Sequence, residues 1–121
     1  QEIAERDPVT FRGWRDAPPT VQMPGGESIQ QVLERAWQGF AAACENLGEN
    51  DTLLLVAHDA VNRVLLCKIL GLDLDRLWAF RQAPTTLNLL EGESVDTLSV
   101  VRLNDCHHHT PLFGEALHRA L

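Results

Sequence analysis

The chain has 121 residues, 45% of them apolar and 22% charged, the balance of one folded domain with one core rather than of a disordered segment. A formal charge of -7 argues against a nucleic-acid or anionic-membrane surface, since both partners need a basic stripe. No apolar run exceeds five residues, the length of Leu53 to Ala57, which is far too short for a membrane-spanning helix.

Residues 1–15 predict short helical pieces broken at Asp7-Pro8, with Pro8 in the first turn of a new helix, where its missing N–H costs little. The opening residues read as the end of a helix already under way, so the chain is expected to be part of a longer domain. Phe11 and Trp14, three apart, share a face. Residues 16–27 carry Pro18-Pro19 and Pro24-Gly25-Gly26 and predict a loop. Ser28 and Gln31 make a capping box for a helix over 29–47, whose apolar stripe runs from Ile29 through Trp37 and Phe40 to Leu47. Glu27 beside that cap suits the helix dipole. Gly48 is expected to close the helix as its C′ residue.

Thr52 to Ala57 is a continuous apolar run and predicts a strand buried on both faces. Ala60 to Leu70 then reads as a helix with Val61, Val64, Leu65 and Ile69 inward and Gly71 at its end. Leu74 to Phe80 reads as a second, shorter helix. Thr85 to Leu90 and Thr97 to Leu103 read as strands joined at Glu91-Gly92-Glu93-Ser94. The tail from Asn104 is expected to be irregular, with a helical turn at Glu115 to Ala120. The order helix, strand, helix, helix, strand, strand gives an α/β class with a mixed sheet.

His58 stands where the predicted strand ends and a helix begins. Ligands of open α/β sheets gather at the carboxyl ends of strands, and the N–H groups of the helix starting near Ala60 suit a phosphate. A histidine there can donate a hydrogen bond to a phosphoryl oxygen and stabilise charge that develops in transfer.

Three segments occur in a telling order: Pro24-Gly25-Gly26-Glu27-Ser28 with its helix, then Leu54-Leu55-Val56-Ala57-His58-Asp59, then Leu103-Asn104-Asp105. Together they resemble the C-terminal half of the histidine phosphatase superfamily, in its phosphoglycerate-mutase-like phosphatase branch. The resemblance implies a three-layer α/β sandwich around a mixed, mainly parallel sheet, with residues 1–121 as the C-terminal part of a single domain. It implies phosphoryl transfer from small phosphomonoesters without a metal or other cofactor. In the family an Arg-His-Gly motif supplies a nucleophilic His, two arginines and a second His hold the phosphate, and an acid protonates the leaving oxygen. The second His maps onto His58. No Arg-His-Gly occurs in this chain, so the nucleophile is expected in a segment before Gln1. The family usually has Gly after the second His; here Asp59 stands there, and its carboxylate is expected to point away from the phosphate. Asp59 and Ala60, through their backbone, and Arg12 and Trp14, from the first loop region, are the expected substrate contacts; the alternative for Trp14 is that, with Phe11, it anchors the loop to the core. Without the Arg-His-Gly strand, Leu53 to Val56 is expected to present an unpaired edge, so a second chain or another copy is expected to complete the sheet.

The same residues admit other chemistries. His58-Asp59 as a metal-binding pair lacks the upstream His such sites require. His107-His108-His109 lacks helical ligand spacing and reads as a solvated tail. Cys44, Cys67 and Cys106 are widely spaced and fit reduced, packed thiols in a cytoplasmic protein. Glu45, Glu49 and Asp51 read as a solvated cluster, Trp37, Phe40 and Trp78 as core, and Arg63 as a residue near the pocket or, the favoured reading, half of a surface ion pair. A catalytically inactive, phosphate-binding or partner-binding module is the alternative to an enzyme, motivated by Asp59 and the missing nucleophile.

Overall fold

The computed structural model describes residues 2–109. Two short helices open the chain, α1 at Glu2–Arg6 and α2 at Pro8–Asp16. The break between them is where Asp7-Pro8 predicts it. The Asp7 carboxylate accepts from the Thr10 N–H at 3.1 Å and caps α2, with Pro8 in the first turn. Gly13 lets α2 approach the following loop, since a Cβ there would meet Val21 Cγ2 at 2.8 Å. A 3-10 turn at Pro18–Thr20 breaks the expected loop, and Pro18 and Val21 are buried.

Helix α3 spans Ile29–Cys44. Ser28 and Gln31 form both halves of the capping box, at 3.2 and 2.9 Å. The helix stops three residues short of the expected end. Leu47 N–H bonds the Cys44 carbonyl at 3.1 Å in a tighter turn, and Gly48 N–H goes to the Asp51 carboxylate at 2.7 Å. Gly48 is therefore not the C′ residue of the helix.

Helix α4 spans Asp59–Ile69. Gly71, at φ +65°, ends it: Gly71 N–H bonds the Lys68 carbonyl and Leu72 N–H the Cys67 carbonyl at 2.8 Å. This pair of hydrogen bonds is the Schellman arrangement, which favours glycine at the left-handed position. Helix α3 packs on α4. Ile29, Val64, Cys67, Leu74 and Leu77 form the buried cluster, with Trp14, Val32, Leu33, Trp78 and Phe80 around it. Each fully buried leucine or valine in it contributes about 1.5–3 kcal/mol.

Two expected elements differ. Leu74 to Phe80 is not a helix but a 3-10 turn at Leu74–Arg76 followed by a bend. The Leu77 and Phe80 carbonyls are taken by the Arg63 guanidinium instead of by a further helical turn. Thr52 to Ala57 forms no ladder with any described residue, and instead of being buried Leu54 is 78% and Val56 84% exposed.

The sheet among the described residues is a two-stranded antiparallel hairpin of β1, Leu87–Glu91, and β2, Ser99–Asp105. The α/β class stands; a mixed, mainly parallel sheet is not formed within residues 2–109. Register shifts between Leu87 and Leu90 mark bulges in the hairpin. Strand β2 runs two residues past its expected end because Asn104 is held by side-chain amides. Asn104 N–H bonds the Asn88 carboxamide at 2.9 Å, and Ala83 N–H bonds Asn104 Oδ1 at 2.7 Å. Gln82, 3% exposed, pairs reciprocally with Asn88 at 3.0 and 2.7 Å. The helical turn expected at Glu115 to Ala120 lies outside the described residues.

Candidate phosphate-binding site

His58 is the N-cap of α4, with φ -88° and ψ 160°. Its carbonyl accepts the first helical bond, from Asn62 N–H at 3.0 Å. Helix geometry leaves the N–H groups of the first turn, Asp59 to Val61, without intrahelical acceptors. The His58 side chain makes no capping bond to them and is exposed. An exposed imidazole thus stands beside free backbone donors and the positive end of the helix dipole, a combination suited to an oxyanion.

Asp59 is the first residue of α4, and its carboxylate does not sit on those donors. Both its oxygens accept from Arg63 Nε, at 2.9 and 3.0 Å, one helical turn further on. Arg63 is not half of a surface pair, as the sequence suggests, but 6% exposed. Its Nη1 bonds the carbonyls of Leu77, at 3.1 Å, and Phe80. The guanidinium also lies over the Trp78 ring, 4.9 Å from its centroid, and near the Phe80 ring at 5.8 Å. The sequence signal for this pair is Asp and Arg four apart, the spacing that brings side chains together on a helix. Its burial depends on the turn after α4, which the periodicity presents as a helix.

Trp14 and Arg12 fare differently. Trp78 Nε1 donates to the Trp14 carbonyl at 3.1 Å, and the two rings meet edge to face at 5.5 Å. Trp14 therefore anchors α2 to the turn that holds Arg63, and through Arg63 to Asp59. Arg12 is exposed on α2 and makes no hydrogen bond or ion pair with a described residue. Ala60 is half-buried and brings its backbone N–H to the site.

The remaining candidates lie elsewhere. Cys44 and Cys67 are free thiols, and Cys106 Sγ donates to Thr86 Oγ1 at 3.6 Å. Burial pushes the Cys67 and Cys44 thiols up, away from a reactive thiolate. Asp105 is held well below the usual carboxylate range, first by the His107 backbone N–H, then by the His107 ring and Arg102. No three His, Cys, Asp or Glu side chains come together to hold a metal among the described residues. Glu45, Glu49 and Asp51 are exposed, Phe40 is buried, and Trp37 and Trp78 are half-buried. The amide cluster of Gln82, Asn88 and Asn104 escapes sequence reasoning, because a strand asparagine carries no periodic signal.

On the face of α4 turned from the Arg63 cluster lies an open groove of about 540 Å³. Leu53, Leu55, Leu65, Ile69, Leu87 and Leu89 line it.

The family model for the histidine phosphatase superfamily (branch 1) matches residues 1–106. The chain is 30% identical over 121 residues to phosphoserine phosphatase 1 of Hydrogenobacter thermophilus, a match spanning all of this chain and 56% of that protein. The chain belongs to the histidine phosphatase superfamily.

Proposed function

We propose that this member of the histidine phosphatase superfamily forms the second-histidine part of a phosphatase acting on small phosphomonoesters, with phosphoserine the first substrate to test. The carrying observation is His58, exposed at the N-cap of α4 beside the free N–H groups of Asp59 to Val61. The sequence holds no Arg-His-Gly, so the reading takes the nucleophilic His from outside these 121 residues. That His attacks phosphorus, an N–P bond forms, and the P–O bond to the alcohol breaks as a carboxylic acid, likewise taken from outside these residues, protonates the leaving oxygen. Water then cleaves the N–P bond and releases inorganic phosphate. In both steps His58 donates a hydrogen bond to a phosphoryl oxygen and offsets the charge that builds there. The Asp59 and Ala60 N–H groups hold the phosphate, while Arg12 and Trp14 border the entrance.

The same reading completes the architecture. The Leu53 to Val56 run becomes a strand of a mixed, mainly parallel sheet within a three-layer sandwich, its partner supplied by another segment or chain. The phosphatase name of the relative favours hydrolysis over mutase transfer. The reading places the protein in the cytoplasm, with no metal or organic cofactor, no membrane and no nucleic acid. Asp59 at the family's glycine position supports a second reading, a binding module without turnover.

The test is turnover by the complete gene product on phosphoserine, phosphoglycerates and an aryl phosphate. His58→Ala should lower kcat/KM by about 100-fold or more, the loss typical of an oxyanion donor. Unchanged turnover in that variant would remove His58 from the site. The 121-residue chain alone is expected to lack phosphatase activity.

A further inference from the structure

Asp59 poses a physical problem that the phosphate reading does not solve by itself. An aspartate in the first turn of a helix is drawn to the same free N–H groups and dipole end that would bind phosphate. A carboxylate seated there would compete with the ligand and repel it. In this structure it is turned back along α4 and bound by Arg63 through both oxygens.

We propose that Arg63 is a positioning residue of the phosphate pocket, a clamp that withholds the Asp59 carboxylate from the α4 N-terminus and so lets an aspartate occupy a position beside a bound anion. The proposal rests on the phosphate reading of His58. Three features make the clamp rigid. The guanidinium is fixed from behind by the Leu77 and Phe80 carbonyls. The Trp78 and Phe80 rings cover it. With Arg63 6% exposed, its attraction for the carboxylate is screened little by water or salt. A planar fork also satisfies a carboxylate and two carbonyls together, which a single ammonium cannot do. The clamp is tied in turn to the first helical region, because Trp78 bonds the Trp14 carbonyl.

The experiment is inorganic phosphate binding to the complete gene product, followed by calorimetry, beside kcat and KM on a phosphomonoester. Arg63→Met frees the carboxylate, and phosphate binding should weaken about tenfold through like-charge repulsion and competition for the donors. KM should rise with it more than kcat falls. Adding Asp59→Asn to Arg63→Met should bring the phosphate Kd back to within about threefold of the parent, the non-additivity expected of residues in contact. A purely structural arginine would give no such rescue, because removing the charge of Asp59 rebuilds none of the bonds to Leu77 and Phe80. Should Arg63→Met fail to fold by circular dichroism, Arg63→Lys takes its place, with a smaller weakening again relieved by Asp59→Asn. A folded Arg63 variant with unchanged phosphate affinity, or a weakening that Asp59→Asn leaves in place, overturns the clamp alone. A parent protein that binds no phosphate overturns both the clamp and the pocket it serves.

Discussion

The two faces of α4 are built to different standards. One face turns Val64 and Cys67 into a cluster with Ile29, Leu74 and Leu77, each less than a tenth exposed. Arg63, the charge buried there, meets a carboxylate, two carbonyls and two rings. The other face opens on the groove between α4 and the hairpin, where Leu54, Leu87 and Leu89 are 78%, 55% and 44% exposed. The first face is closed within residues 2–109, both in packing and in hydrogen bonding. The second leaves apolar surface and backbone donors that a further strand would satisfy. His58 stands at the N-terminal end of the helix between them, so its frame is set by the closed face while its ring stays exposed.

That contrast is most sharply broken from the closed side. Leu77 is fully buried, and Leu77→Ala should destabilise the chain by about 2–5 kcal/mol, through lost transfer energy plus the cavity left behind. Urea unfolding of the isolated chain measures it. A loss below about 1 kcal/mol, the range of a surface change, would mean that this face is not the one holding the chain together.

The open side should answer in the opposite way. In the 121-residue chain, Leu54→Ser and Val56→Ser should change stability by no more than about 0.5 kcal/mol, because neither side chain is packed. They should also reduce self-association in sedimentation, since an unpaired apolar run invites pairing. In the complete gene product the same changes should cost about 1–3 kcal/mol if the run becomes a covered strand. Equal, small effects in both proteins would show that the run stays exposed and that the sheet is not completed there.

How much of this was legible depends on how local each signal is. The Asp7-Pro8 break, the Ser28 capping box and the Gly71 stop each rest on residues within five positions of one another and are formed as read, while the hairpin forms with both strands displaced toward the C-terminus by one to two residues. The Leu74 to Phe80 segment reads as helix because the contact that bends it comes from Arg63, more than ten residues away. Arg63 reads more readily as a surface residue for the same reason. The Leu53 to Val56 run has the composition of a buried strand, but burial needs a neighbour, and none of the described residues provides one. The site divides likewise. His58 at a helix start and the Asp59–Arg63 spacing are local features, whereas the anchoring of Arg63 by the Leu77 and Phe80 carbonyls is tertiary.

The smallest expected effect concerns the end of the hairpin, on the open side, and it separates polar from apolar holding forces there. Asp105 accepts from the His107 N–H at 3.0 Å, the His107 ring at 2.9 Å and Arg102 at 3.1 Å. These bonds favour the ionised carboxylate and pull its folded-state value below the ordinary one. A carboxylate lowered by folding stabilises the native state fully above its unfolded value of about 3.9, and the contribution drains away as pH falls through the folded value. The melting temperature of the parent should therefore fall more steeply between pH 5 and pH 3 than that of Asp105→Asn, by an amount that shrinks in high salt because Arg102 and His107 are exposed. Parallel melting curves for the two proteins across that interval would mean that Asp105 is equally comfortable in the unfolded chain. The hairpin would then rest on its ladder and on the amide cluster of Gln82, Asn88 and Asn104.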